Sequence, residues 1–267
     1  MKLEFDKYSA HGNDFIIIDN RDNIIHRDDP LIFSQLCARR TGIGADGIIL
    51  VDTKSSDFRL RFFNADGHEA SMCGNGSRAA VHFAMKKNMI GKTGCFTVGD
   101  VQHNAQISGD GSIGVEIHLK SENIEKHIFT VDEYTFEGFF CNTGVSHLII
   151  FDEQFYWERP EDTAKMIRFS GKFAPTGVNV SFAAMKGESN IRIVTFEKGV
   201  EDFTLSCGTA AAAAALSAKH HFGLLYPAWI HSGGGKLKVF PGDDVKKIWI
   251  SGTVEKVYSG SIDDFLF

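Results

Sequence analysis

Two short segments of the chain place Cys-Gly directly before a run of strong helix formers. The first is Cys73-Gly74-Asn75-Gly76, and the second is Cys207-Gly208-Thr209, which leads into an alanine-rich run at 210–216. A turn that opens a helix leaves backbone N–H groups without intrahelical partners, and that end of the helix is partially positive. Each segment therefore predicts an anion site next to a thiol whose ionisation is favoured.

The spacing of the two cysteines predicts two halves. Cys207 follows Cys73 by roughly 130 residues, which is about the length of one domain. A polar stretch at 120–127 is a good candidate boundary. We therefore expect an N-terminal half, 1–119, rejoined by 257–267, and a C-terminal half, 120–256. Each half would present a thiol and a helix N-terminus to a shared cleft.

Composition and charge exclude several classes of protein. The chain has 267 residues, of which 43% are hydrophobic and 23% charged, as in globular proteins. A net charge of −6 argues against a nucleic-acid partner. No apolar run approaches the ~20 residues of a membrane span, and the first six residues include acids rather than a secretory signal. We expect a cytoplasmic location, with no membrane partner.

The five cysteines do not indicate a disulfide framework or a metal site. Their number is odd, and neither a C-x-x-C motif nor a histidine-rich cluster is present. Cys37, Cys95 and Cys141 lie among apolar neighbours and are interpreted as small buried hydrophobes. The glycine-rich loop at 42–47 precedes a strand rather than a helix, so a dinucleotide-binding fingerprint is disfavoured.

Outside the two cysteine motifs, the sequence predicts many strands and a few helices. Alternating or β-branched runs predict strands, and helical spacing predicts helices near 30–38 and 163–168, giving two helices per half with those after the cysteines. The predicted strands lie at 3–8, 15–19, 48–51, 57–63, 94–98, 101–107, 113–119, 148–151, 178–182, 191–196, 236–240 and 247–252.

These motifs, taken in order, resemble the diaminopimelate epimerase family of pyridoxal-independent amino-acid racemases. The resemblance covers essentially the whole chain. Its markers are Gly12-Asn13-Asp14-Phe15, residues 42–47, Phe63-Asn64-Ala65-Asp66-Gly67, residues 72–78, Asn142-Thr143-Gly144, Asn179, Glu197 and Leu205-Ser206-Cys207-Gly208-Thr209.

The resemblance implies a fold and a reaction. The fold would be α/β (α+β), with two pseudo-symmetric domains that each wrap a β-sheet around a central helix. The activity would be that of an isomerase that interconverts LL- and meso-diaminopimelate, without a cofactor, for lysine and cell-wall precursor synthesis. One cysteine would act as thiolate base and the other as thiol acid, on opposite faces of the α-carbon.

The resemblance also implies the site residues. The catalytic group would be Cys73, Cys207, His147 and Glu197. The substrate-binding group would be Asn13, Asn64, Gly74, Asn75, Asn179, Lys198, Gly208 and Thr209. No metal is implied.

Several positions depart from the family pattern. The family usually has Arg where this chain has Lys198, and that Arg grips the distal carboxylate of the substrate; Lys keeps the charge but loses the planar two-donor fork. The other departures are Ser146, Phe196, Phe203 and Ala210. They leave the thiol pair intact, so they bear on substrate identity more than on reaction type.

Two alternatives therefore stay open. The chain could be a racemase of this fold acting on another amino acid, or a non-catalytic protein whose Cys73 and Cys207 form a disulfide. Whether the chain is a diaminopimelate epimerase or a racemase of another amino acid, its expected partner is a small amino-acid substrate. The sequence does not fix an oligomeric state, and a homodimer is kept as one expectation.

Overall fold

The computed structural model describes residues 2–53, 58–121, 123–131, 133–152 and 160–263. The chain divides into two compact units. The first is Met1–Val115 with Ser251–Phe267, and the second is Glu116–Ile250. The first residue of the strand expected at 57–63 lies outside the described residues. The last four residues of the expected rejoining segment 257–267 also lie outside them.

The first unit contains most of the N-terminal strands and two helices. Its helices are α1 (Pro30–Cys37) and α2 (Gly74–Lys86). Its strands are β1 (Leu3–Ala10), β2 (Asn13–Asp19), β3 (Gly47–Thr53), β4 (Phe58–Asn64), β5 (Glu69–Ala70), β6 (Thr93–Val98), β7 (Val101–Ile107), β8 (Ile113–His118), which runs on into the second unit, and β18 (Glu255–Ile262). Strand pairing follows the order β18-β1-β2-β3-β4-β6-β7-β8, and only β2–β3 and β4–β6 are parallel among these pairs.

The β2 strand is covered on both faces, as its β-branched run predicts. Ile17 belongs to the apolar cluster that includes α2, whereas Ile16 and Ile18 belong to the cluster that includes α1. Because successive side chains of a strand point to opposite faces, these neighbours bury against different helices. All three are fully buried.

The α2 helix is the core of the first unit. It contacts β1, β2, β3 and β4, and nearly all of its residues from Gly74 to Ala84 are buried. Gly76 allows the close approach, since a Cβ there would lie 3.0 Å from the Phe62 ring and 3.1 Å from Ile49. The sheet can therefore wrap tightly around the turn that follows Cys73.

The second unit also contains two α-helices within its described residues. They are α3 (Pro160–Phe169) and α4 (Gly208–Phe222), with a short 3-10 turn at Gly171–Phe173. Its strands are β9 (Glu125–Val131), β10 (Tyr134–Asn142), β11 (Ser146–Phe151), β12 (Asn179–Met185), β13 (Asn190–Glu197), β14 (Asp202–Thr204), β15 (Ala228–Ser232), β16 (Gly235–Pro241) and β17 (Lys247–Gly252). The pairing order is β9-β10-β11-β12-β13-β15-β16, with β11–β12 and β13–β15 parallel.

The α4 helix is central to the second unit because its side chains are small. It contacts β10, β11, β12, β13, β15 and β16, and Ala210 to Ala215 are at most 1% exposed. Alanine has the highest helix propensity and adds little width, so strands can pack on all sides of the helix. The helix ends at Gly223, which adopts the left-handed conformation (φ 72°) that favours glycine.

The two units repeat one pattern of strand pairing. In each, two antiparallel pairings lead to a parallel one, then an antiparallel and a second parallel pairing, around a helix that begins directly after a cysteine. The expected fold, an α/β structure of two similar halves with a central helix in each, is confirmed. None of the described helices is long and apolar enough to cross a membrane.

Most predicted elements are found. The four predicted helices are present, with ends shifted by a few residues. Sequence analysis missed β5, β9, β10, β14, β15 and β18. Strands β9 and β18 are mostly exposed and polar, so they lack the apolar alternation that identifies a strand. The polar stretch at 120–127, expected as a domain boundary, contains the start of β9, and the division between the units falls after Val115.

A glycine substitution tests the packing between α1 and the turn after β4. Gly67 has φ 86°, and a Cβ there would lie 1.9 Å from the carbonyl oxygen of Pro30. Gly67→Ala should therefore lower the free energy of unfolding by about 3 kcal/mol or more, measured by urea denaturation. The matched control is Gly99→Ala, where φ is also positive but nothing lies within 4 Å, so only backbone strain of about 1 kcal/mol applies. Equal losses would show that the turn does not pack as described.

Candidate active site

Cys73 is the N-cap residue of α2. Its backbone is extended (φ −107°, ψ 120°), and its sulfur accepts a hydrogen bond from the Gly76 N–H at 3.5 Å. The side chain is partly buried, and the thiol is free of disulfides. Gly74 and Asn75 form the first turn, whose N–H groups have no carbonyl one turn earlier in the helix. This end of α2 can therefore stabilise both a thiolate and a bound carboxylate.

The turn between β1 and β2 packs against this helix end. His11 and Gly12 both have positive φ, 52° and 88°, as tight hairpin turns require. The turn places Asn13 so that its Oδ1 accepts a hydrogen bond from Asn75 Nδ2 at 2.6 Å, while its Nδ2 donates to Asp46 at 3.1 Å. Two predicted substrate-binding residues, Asn13 and Asn75, are thus in direct contact.

Arg78 lies beneath the same turn and was given no role by sequence analysis. Its side chain is fully buried, and it donates to the Gly74 carbonyl at 3.1 Å and to Asn75 Oδ1 at 2.7 Å. Its Nη2 is 3.3 Å from His11 Nδ1. Burial lowers the pKa of Arg78 to about 10, and a negative charge on Cys73 opposes that change. The only signal in the sequence was an arginine inside an otherwise apolar helix face.

Asn64, the remaining predicted residue of the first unit, ends β4. Its side chain is exposed, and its backbone holds the Asn64–Gly67 turn through hydrogen bonds to His68 and Gly67. Within this unit the structure does not give Asn64 a side-chain contact with Asn13 or Asn75. Its role in binding stays a prediction.

Cys207 is the N-cap residue of α4 and has different neighbours. Its sulfur makes no hydrogen bond to the helix backbone and lies 3.3 Å from the Thr209 hydroxyl. The Glu197 carboxyl is hydrogen-bonded to the Cys207 side chain and accepts a hydrogen bond from the Thr204 hydroxyl. Burial raises the pKa of Glu197, against the effect of those two hydrogen bonds. Glu197 therefore lies beside a thiol, as the resemblance implied, and Thr204 is a contact that sequence analysis missed.

The loop after β10 fixes the start of α4. The Thr143 hydroxyl donates a hydrogen bond to the Thr209 carbonyl at 3.2 Å, and Thr143 is buried. This contact explains why the Asn142-Thr143-Gly144 motif accompanies the second cysteine motif. It holds the first turn of α4, and with it Gly208 and Thr209, against the sheet.

His147 is fully buried on β11. In the parallel register it lies opposite Asn179 of β12, and neither ring nitrogen has a hydrogen-bond partner in the part of the chain that the structure describes. Burial, helped by the positive charge of Lys198, lowers the pKa of His147 to about 3. The imidazole is therefore neutral near pH 7 and can accept or donate one hydrogen bond through each nitrogen.

Lys198 is held in place by backbone contacts. Its N–H donates to Asn179 Oδ1 at 2.8 Å, and its ammonium donates to the Thr176 carbonyl at 3.0 Å. Asn179 is buried, so its amide positions the Lys198 backbone. The structure thus brings together His147, Asn179 and Lys198 by strand register and hydrogen bonding, all within the second unit.

The other three cysteines differ from this pair. Cys37 and Cys141 are buried, and burial raises their pKa values to about 11 and about 12. Cys95 is partly buried on β6. None of the three lies at the N-terminus of a helix, so Cys73 and Cys207 are the cysteines whose surroundings suit acid–base chemistry.

A family model identifies the group of proteins to which these paired motifs belong. The model for diaminopimelate epimerase matches residues 5–100 and 139–257, which include both cysteine motifs. The chain belongs to the diaminopimelate epimerase family. The family resemblance inferred from the motifs is therefore confirmed.

Curated relatives agree over nearly the full chain. The chain is 37% identical to the diaminopimelate epimerase of Hydrogenobaculum sp., with 98% of this chain and 99% of the relative covered. It is 34% identical to the diaminopimelate epimerase of Aquifex aeolicus, with 98% of each covered.

Solved structures show the same fold at low identity. A phenazine biosynthesis protein of the PhzF family from Bacillus anthracis matches with a TM-score of 0.74 at 14% identity, covering 98% of this chain and 99% of that one. A hydroxyproline epimerase from Agrobacterium vitis matches with a TM-score of 0.67 at 13% identity, covering 98% and 92%.

The buried neutral state of His147 predicts a pH-dependent stability. In the unfolded chain a histidine titrates near pH 6.5, so between about pH 3 and 6.5 the unfolded state binds a proton that the folded state does not. Stability is therefore retained above pH 6.5 and lost as the pH falls. The expected loss from this residue is about 2 kcal/mol between pH 7 and pH 5.

The measurement is urea unfolding at pH 7 and pH 5 for wild type and His147→Gln. The variant should lose less stability over this interval, by about 2 kcal/mol. The exposed His68 provides the control, because His68→Gln should keep the wild-type dependence. An unchanged dependence in His147→Gln would contradict a buried neutral imidazole.

Proposed function

We propose that this chain interconverts LL- and meso-diaminopimelate, with Cys73 and Cys207 as the two acid–base groups and without a cofactor. The observation that carries the proposal is the repeated arrangement: in each unit, a cysteine caps the helix around which the sheet is wrapped. Family membership supplies the reaction class, an isomerase reaction. The proposal requires that both thiols reach opposite faces of one α-carbon.

The reaction needs two groups because one base cannot serve both faces of the substrate. One cysteine, as thiolate, removes the α-proton, and the C–H electron pair stays on the α-carbon and its carboxylate. The other cysteine, as thiol, donates its proton to the opposite face. The protonation states of the cysteines are exchanged at the end, so the roles reverse with the direction of reaction.

The helix N-termini would stabilise the negative charge that develops. The first-turn N–H groups at Gly74, Asn75, Gly208 and Thr209 lie next to the two thiols, where a substrate carboxylate would be held as charge builds on it. Backbone donors fixed by buried helices need little reorganisation during the reaction. Exclusion of water around bound substrate would strengthen these hydrogen bonds.

The remaining site residues would bind and orient the substrate. His147 and Glu197 would hold the amino group and set the protonation of the thiols, Glu197 through its hydrogen bond to Cys207. Asn13, Asn64, Asn179 and Lys198 would contact the rest of the molecule. Lys198 would meet the distal carboxylate in place of the family's arginine, as a single charged donor.

Location and assembly complete the proposal. The enzyme would act in the cytoplasm, in lysine and cell-wall precursor synthesis. The reducing environment there would keep Cys73 and Cys207 as free thiols. A homodimer would be its assembly, and large apolar side chains exposed on β18, Val257 and Tyr258, are available to such a contact.

The two-base mechanism is tested by removing each thiol. Cys73→Ala and Cys207→Ala should each reduce epimerisation of diaminopimelate by at least about 1,000-fold, because each removes the acid or base for one face. The fold should persist, as judged by circular dichroism. Cys95→Ala is the matched control, because that cysteine is partly buried away from a helix N-terminus and should leave activity unchanged.

The same assay separates the competing functions. Solvent-deuterium exchange at the α-carbon is measured over a panel of amino acids under reducing conditions. Exchange with diaminopimelate supports the proposal, and exchange with another amino acid alone assigns the chain to a different substrate. If no amino acid in the panel shows exchange, the result favours the non-catalytic disulfide protein. Wild-type turnover in either alanine variant would contradict the two-base mechanism.

Lys198 tests the distal carboxylate site. Lys198→Ala should raise KM for diaminopimelate about ten- to a hundred-fold with little change in kcat, since a charged hydrogen bond worth roughly 1.5–3 kcal/mol is lost in ground and transition states alike. Lys198→Arg should keep or lower KM. The control is Lys219→Ala in the last turn of α4, where the side chain is exposed. An unchanged KM in Lys198→Ala would place the distal carboxylate elsewhere.

A further inference from the structure

The buried cation Arg78 has no carboxylate among its hydrogen-bond partners in the described part of the chain. Its guanidinium is 0% exposed and contacts the Gly74 carbonyl, the Asn75 amide oxygen and His11 Nδ1. Its Nε has no partner within the described residues. A buried charge is strongly destabilising unless an opposite charge lies nearby, so the structure needs an anion close to Arg78.

The carboxylates on the strands around α2 are already engaged. The elements that contact α2 are β1 to β4, and His11, Tyr8 and His82 are the other titratable groups on this side. Glu4 lies on the α2 face of β1, since Leu3 and Phe5 on either side of it pack in the α1 cluster. It is exposed in a surface groove with Phe83 and Lys87, near the C-terminal end of α2, so it remains solvated. The ion pairs of the remaining acids are Asp6–Lys256 at 2.9 Å, Asp14–Lys7 at 2.6 Å, Asp19–Arg21 at 2.8 Å and Asp52–Arg61 at 2.7 Å.

Among the described residues around α2, Cys73 is the group left to supply the anion. The Arg78 guanidinium donates hydrogen bonds to Gly74 and Asn75, the two residues that directly follow Cys73, so a negative charge on Cys73 would act on Arg78 at short range. The Cys73 sulfur also accepts the Gly76 N–H, a hydrogen bond that a thiolate strengthens.

The second cysteine lacks all of these features. Its sulfur makes no hydrogen bond to the α4 backbone, and its neighbours are the Thr209 hydroxyl and the Glu197 carboxyl. A carboxyl group beside a sulfur favours the S–H form, which can donate to it. The two thiols therefore have opposite electrostatic surroundings, although both cap a central helix.

We propose that Arg78 is the buried counter-ion of Cys73, so that the resting enzyme holds Cys73 as thiolate and Cys207 as thiol. This inference rests on the proposed function for its meaning, but concerns the free enzyme. Arg78 is a positioning residue, since it acts through Cys73 rather than on substrate. It also orients Asn75, and through Asn75 the Asn13 side chain.

The test is alkylation of each cysteine in the free enzyme as a function of pH. Neutral iodoacetamide reacts with thiolates, and mass spectrometry of digested protein gives a separate rate for each cysteine. In wild type, the half-maximal rate for Cys73 should occur at least one pH unit below that for Cys207. The reverse order, or equal midpoints, overturns the proposal without any variant.

Two substitutions separate charge from structure. Arg78→Met should raise the Cys73 midpoint by at least one pH unit, a tenfold loss of thiolate at a given pH, while Cys207 in the same molecule keeps its midpoint as an internal control. Arg78→Lys retains the charge and should keep the Cys73 midpoint within half a unit of wild type. If Arg78 had a merely structural role, its substitution would shift the alkylation midpoints of both cysteines, or the Lys and Met variants would shift the Cys73 midpoint equally. Either result overturns the proposal.

The outcome is independent of catalysis. If Arg78→Met does not give a cooperative unfolding transition, the wild-type order and the Arg78→Lys variant decide the matter. Loss of the predicted order with normal turnover of diaminopimelate would reject the counter-ion and keep the epimerase. The predicted order of midpoints without turnover of diaminopimelate would support the counter-ion and reject the proposed epimerase activity.

Discussion

The interaction on which both units depend is the burial of a helix whose N-cap residue carries a thiol. Around α2 and α4 the sheets close so tightly that glycine and alanine are needed along the helix surface, at Gly76 in one unit and from Ala210 to Ala215 in the other. Burial fixes the direction of the helix, and the helix fixes its N-terminal N–H groups. The thiol and the anion site are thus set by core packing rather than by a mobile loop.

Equal architecture does not give the two thiols equal chemistry. The topology repeats, yet the groups next to the sulfur atoms differ: a guanidinium below the turn after Cys73, and a carboxyl hydrogen-bonded to Cys207. Racemisation needs one base and one acid at any moment, so two identical sites would compete for the same protonation state. In the proposed mechanism, repetition of the fold would provide the two thiols, and their unlike neighbours would provide the difference in charge.

Sequence analysis could predict the fold and the thiols because both depend on local patterns. A cysteine before a glycine-rich turn and a helix, repeated one domain length apart, needs no tertiary information. The contact of Arg78 with His11 could not be found this way, because the two residues lie far apart in the chain and meet only when β1 and β2 pack on α2. The contact of Thr204 with Glu197 is local in sequence, but it depends on the pairing of β13 with the short strand β14, which the sequence pattern does not indicate. Exposed polar strands such as β9 and β18 were missed for a related reason, since their pairing partners, not their own side chains, make them strands.

In the proposed mechanism, strand register links the distal substrate contact at Lys198 to the groups beside Cys207. Asn179 lies opposite His147 in the sheet, and its amide holds the Lys198 backbone, while Lys198 directly follows Glu197, which contacts Cys207. A shift of β12 or β13 by one residue would turn the side chains of that strand to the other face of the sheet and break these contacts at the same time. The change from arginine to lysine replaces a planar fork by a point charge without altering this register. It can therefore change which substrate is held while the acid–base pair stays in place.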